Sequence, residues 1–265
     1  MTDSHFNMIK LNALALLFLA SPIRADDKAF GSAEIQESSL IGILYDFKQT
    51  QDKEPIEMDL RKYYSAIDRF MTRGWDEGEL SEFYRTTRAI YATQIFVSMR
   101  SDSDAPAAFG VQEHVRPAYW MAHYKGQVLP PKAGTYRFVA SADGFMAIAV
   151  NNQTIYSRHL NQRNLLTEVG PEEGKGPAAN GRLRYSLPFE SDGATPIDLD
   201  VIIAEAGGNM NAFLLYKRDG ESYAKRSDGN LLYPVVQFKE LSIPTGDASK
   251  MPQVAEPSEL WRAIP

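Results

Sequence analysis

The stretch Tyr124 to Asn152, YKGQVLPPKAGTYRFVASADGFMAIAVNN, constrains the fold more than any other part of this chain. Pro130, Pro131 and Gly134 break the backbone ahead of Thr135. From Thr135 to Ser141 the residues alternate, with Tyr136, Phe138 and Ala140 on one face and Arg137, Val139 and Ser141 on the other. A period of two marks a half-buried strand, because successive side chains leave a strand on opposite sides. Ala142-Asp143-Gly144 reads as a short turn. A second run follows, with Met146, Ile148 and Val150 facing one way and Phe145, Ala147 and Ala149 the other. Asn151-Asn152 ends it with residues that tolerate positive φ. The expected unit is a hairpin with an acidic tip, in which Phe138 and Ile148 face the same interior.

The rest of the chain mostly extends this β pattern. Leu40 to Phe47 and Ile90 to Ser98 read as strands, and Ile155 falls in a third strand after the Asn-Asn turn. Arg182 to Phe189 alternates, with Leu183, Tyr185, Leu187 and Phe189 inside. Ile197, Leu199, Val201 and Ile203 oppose a wet face carrying Asp198 and Asp200. Phe213 to Tyr216 is almost wholly apolar, as in a central strand, and Leu231 to Leu241 is a last candidate, broken by Pro234. Gly170 to Gly181 is so rich in Gly and Pro that it reads as a loop. One segment departs from the pattern. Leu60, Tyr63, Tyr64, Ile67, Phe70 and Met71 follow the spacing of one helix face, with Asp59 as N-cap and Gly74 as the stop. A second short helix is expected from Asp76, with Glu79 completing a capping-box-like pair. The fold class is therefore mainly β, an antiparallel β-sandwich spanning 40–243, with an inserted α-helical pair at 49–88. A flexible leader, 26–39, precedes it, and an extended C-terminal tail rich in Pro and Ser, 244–265, follows it.

The order Y-x-G, P-P-x-x-G-x-Y-x-F, S-A-D and V-N-N within this central stretch resembles the PA-fourteen domain. That β-sandwich binding module is named after the protective antigen of anthrax toxin. GILYDF at Gly42 to Phe47 is similar to its opening strand, PIDLDVIIAEAGG at Pro196 to Gly208 to its late strand, and AFLLYKRDG at Ala212 to Gly220 to its closing strand. The resemblance implies a sandwich that binds sugars or proteins. In its sugar-binding members, two successive aspartates joined by a cis peptide hold a calcium that meets sugar hydroxyls. Asp143 matches the first aspartate, and Gly144 stands at the second. Calcium wants six to eight oxygens, so the loss of one carboxylate weakens such a site, and no metal or other cofactor is expected.

Composition narrows the function classes. The chain carries 28 basic and 34 acidic residues, a formal charge of −6. An acidic chain without a basic cluster excludes phosphate-neutralising nucleic-acid binding and an electrostatic membrane anchor. The absence of cysteine excludes a disulfide framework, a thiolate metal site and a cysteine nucleophile. Lys10, the apolar run Leu11 to Ala20 and the small Ala25 read as a secretory signal peptide, 1–25, with Met1 or Met8 as its start. That run is shorter than the ~20 residues a bilayer span takes, so no membrane span is expected after cleavage. Cysteine avoidance in an exported chain fits a secreted or periplasmic, cell-envelope location.

The candidate ligand-binding residues are Asp143, Glu205, Asn209, Asn211 and Trp75. Asp143 reads as a ligand at the tip or as a turn residue capping its own backbone. Glu205, Asn209 and Asn211 lie in the late loop EAGGNMN, which in the family meets the tip at one end of the sandwich. The alternative is a Gly-Gly turn with asparagines in left-handed geometry. Trp75 stands off the helical stripe and reads as a sugar-stacking ring or as the side chain closing the helix corner. Asp102 and Asp104 form a D-x-D pair without the remainder of a calcium loop. No serine elbow, phosphate loop or histidine spacing points to catalysis. The expected function is a non-catalytic module recognising a glycan or another cell-envelope protein. The alternatives are a structural subunit of an envelope assembly and a cryptic glycan-acting hydrolase.

Overall fold

The computed structural model describes residues 28–159, 165–170, 172–178, 181–227, 229–241, 251–257 and 259–264. The expected signal peptide therefore lies outside the described residues. In chain order the elements are β1 (Leu40–Asp46), α1 (Leu60–Thr72), a 3-10 turn (Glu77–Leu80), β2 (Tyr84–Arg85), β3 (Ile90–Ala92), β4 (Phe96–Ser101) and α2 (Asp104–Ala108). Then come β5 (Trp120–Leu129), β6 (Gly134–Ala142), β7 (Phe145–Val150), β8 (Gln153–His159), β9 (Glu172–Ala178) and β10 (Gly181–Tyr185). The last are β11 (Phe189–Ser191), β12 (Ile197–Glu205), β13 (Asn209–Arg218) and β14 (Arg262–Ile264).

Among the described residues these strands form two antiparallel sheets, the mainly-β sandwich read from the sequence. The first runs β2-β1-β5-β12-β7-β8, with β3 on β1 and β14 on β5. The second runs β4-β13-β6-β10-β9, with β11 on β6. The interior between them is filled from both sides: Leu44, Tyr124, Ile148 and Val201 from the first sheet meet Phe138, Ala140 and Leu214 from the second. Strands of the first sheet are buried on both faces. Phe145, Ala147 and Ala149 face outward but lie under α1, in a second core with Tyr63, Tyr64, Ile67 and Phe70. Alanines at two of those positions let the helix approach the sheet. The outer face of the second sheet carries a third core, where Val139, Phe213 and Leu215 pack beneath Tyr233 and Val235.

The helix forms as its spacing predicts. Asp59 caps it, its carboxylate accepting from Lys62 N at 2.8 Å, and Gly74 leaves it at φ 82°. Two polar anchors tie its aromatic stripe to the sheet: Tyr63 Oη donates to Trp120 O at 2.6 Å, and Tyr64 Oη lies 2.5 Å from His159 Nε2.

Several expectations are corrected. The runs on either side of Asp143 are not a hairpin. β6 pairs with β13 and β10 in the second sheet, and β7 with β12 and β8 in the first. The turn at Ala142-Asp143-Gly144 carries the chain from one sheet to the other, so Phe138 and Ile148 share an interior by facing each other across the sandwich. The true hairpin is β7–β8, closed by Asn151 and Asn152 at φ 51° and 62°. The second helix shrinks to one 3-10 turn, and Tyr84–Arg85 rejoins the sheet. Within the expected leader, Phe30 is buried against Trp120, and Ser32 bridges to Tyr91. The presumed loop Gly170 to Gly181 contains β9, paired with β10. Leu231 to Leu241 forms isolated bridges rather than a regular strand. The tail is packed at its end, where Trp261, 1% exposed, sits in the main core against Phe138 and Tyr136.

Candidate functional site

Antiparallel pairing brings the ends of six strands to one end of the sandwich. Glu205, the last residue of β12, lies opposite Trp120, the first of β5. Asn209 opens β13 opposite Ser101, the last of β4, and Ala212 pairs with Ala142, the last of β6. Asp102 follows β4 directly, and Asp143 links β6 to β7. Residues distant in sequence thus share one locus.

Asn211 falls where the β4–β13 ladder shifts register, between Met210 and Ala212. Its backbone carbonyl accepts from Asp143 N at 3.2 Å. Its side chain is 1% exposed, and neither its Oδ1 nor its Nδ2 has a hydrogen-bond partner. Glu205 is 5% exposed; its Oε1 accepts from Gly207 N at 2.9 Å, whereas Oε2 has no partner. Burial pushes the Glu205 carboxyl up to about 7, the Gly207 N–H pulls it down, and the negative charges of Asp143 and Asp102 raise it further. Asp102, also buried, accepts from Gly208 N at 3.1 Å through Oδ2 and from Trp120 Nε1 at 3.0 Å through its backbone carbonyl. The Gly207-Gly208 turn, at φ 137° and 112°, makes these close backbone approaches possible.

A buried polar atom left unpaired costs about 1–3 kcal/mol. Three such atoms, two on Asn211 and one on Glu205, therefore hold an unmet demand for hydrogen bonds at this end. The rim adds other groups. Lys48 Nζ donates to Ala118 O and pairs with Asp46 at 2.5 Å, and burial lowers its pKa. Ala118 and Tyr119 are consecutive non-glycine residues at φ 68° and 50°, a strained backbone that presents a half-buried tyrosine ring 5.4 Å from Tyr63.

The residues present do not fit the paired-aspartate calcium site that the family resemblance implies. A Cβ at position 144 would lie 2.5 Å from both Ala204 O and Glu205 Oε2, so no second aspartate side chain has room. The Asp143–Gly144 peptide is trans. Among the described residues, no group of three or more His, Cys, Asp or Glu side chains is arranged to hold a metal ion.

Of the five candidates named from sequence, Asp143, Glu205, Asn209 and Asn211 come together here, with Asn209 exposed at the rim. Trp75 does not. It is 6% exposed, packs on Phe70 and His123, and donates from Nε1 to Thr154 Oγ1 at 2.9 Å. It closes the corner after α1 instead of facing a ligand. Asp200, read as part of a wet strand face, is buried and bonded to His123 Nε2 at 2.7 Å. Sequence reasoning missed Asp102, Lys48 and Tyr119 as members of the locus. Only Asp102 carried a signal, its D-x-D pair, and that pair pointed to the wrong chemistry.

The fold defines the class as a two-sheet antiparallel β-sandwich, with this end-loop locus at one end. No protein-family model matches the chain, and no curated protein sequence does. Among solved structures it is similar to the PA14 sugar-binding domain from an RTX adhesin, at 15% identity and a TM-score of 0.44, covering 71% of this chain and 94% of that one. It is similar to the PA14 domain of the MpAFP antifreeze protein, at 14% identity and a TM-score of 0.42, covering 85% and 98%. It is also similar to the Epithelial Adhesin 6 A domain from Candida glabrata, solved with Galβ1-3GlcNAc, at 9% identity and a TM-score of 0.44, covering 88% and 95%. Among the described residues no helix is long and apolar enough to cross a membrane.

Proposed function

We propose that this chain is an exported, non-catalytic carbohydrate-binding module that takes its glycan at the sandwich end formed by Asp102, Asp143, Glu205 and Asn211. One observation carries the reading: Asn211 is buried with both ends of its amide unpaired, at the same end of the sandwich as a carboxyl whose Oε2 is also unpaired. Such groups ask for a partner that donates and accepts at once, which is what a sugar hydroxyl does. The half-buried ring of Tyr119 supplies an apolar face of the kind that stacks on a pyranose. Recognition is direct, through hydrogen bonds rather than through a cation. A glycan array probed with the wild-type chain and with Asn211→Ala tests this. The wild type should select a set of glycans, and the variant should lose them while its circular dichroism stays the same. Equal array profiles for the two proteins would reject the site. Export is tested separately: the mature protein outside the cytoplasm should begin near Asp26, and a full-length chain retained inside would refute it.

A second reading, glycan hydrolysis, draws on the Glu205 carboxyl. A group held at about 7 beside other carboxylates has the protonation behaviour of a general acid. Turnover of an array-selected glycan that Glu205→Gln abolishes would favour it over simple binding.

A further inference from the structure

Two buried side chains at the sandwich end lack partners, and both abut the Asp143-Gly144 tip. Glu205 Oε2 lies so close to Gly144 that a Cβ there would sit 2.5 Å from it, and Asp143 N donates to Asn211 O at 3.2 Å. What the two side chains lack differs. Asn211 has both an acceptor and a donor group open at its amide. Glu205 lacks a donor at Oε2 and, once ionised, a counter-charge as well. The charges that act on it from Asp143 and Asp102 are both negative, and among the described residues no cation bonds Oε2. The cations nearest in the chain to this end are engaged elsewhere. Lys48 pairs with Asp46 at 2.5 Å and donates to Ala118 O, and Arg100 donates from Nε to Ser98 O at 3.3 Å and faces Asp104 at 3.8 Å.

Three kinds of sugar substituent answer this demand differently. A hydroxyl supplies the hydrogen bond but leaves a buried negative charge uncompensated. A carboxylate or sulfate adds a like charge. An ammonium supplies the hydrogen bond and the counter-charge together, and such charge-assisted bonds are about twice as strong as neutral ones. We propose, resting on the glycan-binding reading of this same site, that its ligand is an amino sugar: a hexosamine with a free ammonium, which Glu205 receives at Oε2 while another polar group of the sugar meets the Asn211 amide. The ionised carboxylate is the form that receives the ammonium, so a chain protonated at Glu205 releases that proton to solvent as the ligand binds.

The proton linkage gives the binding a pH dependence of definite sign. Around Glu205 stand Asp143 at the tip, Asp102 after β4, and Tyr63 and Tyr64 from α1. Tyr63 Oη is spent on the backbone oxygens of Trp120 and Glu205, and Tyr64 Oη on His159. Burial raises both tyrosine hydroxyls and lowers His159 to about 4, so none of the three titrates between pH 5.5 and pH 7. Glu205, pushed up to about 7, does. Amino-sugar affinity therefore rises with pH through this range, whereas a neutral sugar gains nothing from the ionisation.

NMR titration of the full chain with the methyl β-glycosides of glucosamine, N-acetylglucosamine and glucose, and with the corresponding galacto set, tests the proposal. At pH 7 at least one amine form should bind about tenfold or more tightly than its acetamide and hydroxyl counterparts. Its affinity should rise about tenfold from pH 5.5 to pH 7, and methylammonium at the same concentration should not displace it. Glu205→Gln keeps the side chain's shape and should erase both the preference and the rise. The proposal is overturned if an acetamide or hydroxyl form binds as tightly as its amine, if no amine form binds, if methylammonium displaces the sugar, or if Glu205→Gln keeps the preference. Equal binding of amine and hydroxyl forms that Asn211→Ala abolishes would leave the glycan site standing without the amine; binding untouched by Asn211→Ala would overturn both.

Discussion

Replacing Glu205 by glutamine isolates the cost of keeping a buried carboxyl at the site. The carboxyl titrates at about 7 in the folded chain against an ordinary 4.5, chiefly because burial disfavours its charged form. Between those values the native state binds more protons than the unfolded state, so stability falls as pH rises. Below 4.5 both states are protonated and the group costs nothing; above 7 the full penalty applies. A displacement from 4.5 to about 7 corresponds to a penalty of about 3 kcal/mol. Glutamine keeps the Gly207 N–H bond to its carbonyl oxygen and removes the titration. Urea unfolding of both proteins from pH 4.5 to pH 8 reads the difference directly, and titrating groups that do not interact with Glu205 cancel in it. The variant's advantage should grow by about 3 kcal/mol across that range, or roughly 6–12 °C in Tm for a domain of this size. Any constant offset from the new –NH₂ does not alter the slope. A difference that stays flat with pH would refute the burial argument and, with it, the reading of Glu205 as a destabilising group kept for a ligand.

Two further predictions follow from the core and the tip. Phe138, fully buried between Phe189 and Trp261, should cost about 3–5 kcal/mol on truncation to alanine, measured by denaturant unfolding; a loss under about 1 kcal/mol would mean that its face of β6 is wrongly assigned. Millimolar calcium should leave Tm unchanged. A site with a Kd a hundredfold below the calcium concentration would add about 2.7 kcal/mol, so a rise of several degrees that Asp143→Asn abolishes would contradict the steric argument at Gly144.

Alternation made the strands legible, and spacing with an N-cap made α1 legible, because both are local properties. Pairing was not local. The runs around Asp143 have the same period whether they form a hairpin or cross between sheets, and only the partners β12 and β13, more than fifty residues further on, decide it. Gly and Pro hid β9, and the Pro-rich composition of the tail hid Trp261, whose ring completes the core. At the site, the residue types of Asp143, Glu205, Asn209 and Asn211 were visible, and the family resemblance suggested their convergence. The contributions of Asp102, Lys48 and Tyr119 depend on strand ends meeting in space. Trp75 misled because standing off a helical stripe is as compatible with sealing a corner as with facing solvent.

The most direct test of the account is an NMR titration of the labelled chain with a saccharide selected on the array, following the Asn211 side-chain amide and the backbone amides of Asp102, Asp143 and Gly207. The account predicts that these resonances move first and saturate together, with the Asn211 side-chain amide protons shifting as they gain a partner. Saturable shifts confined to other surfaces, with the Asn211 amide unmoved, would contradict it.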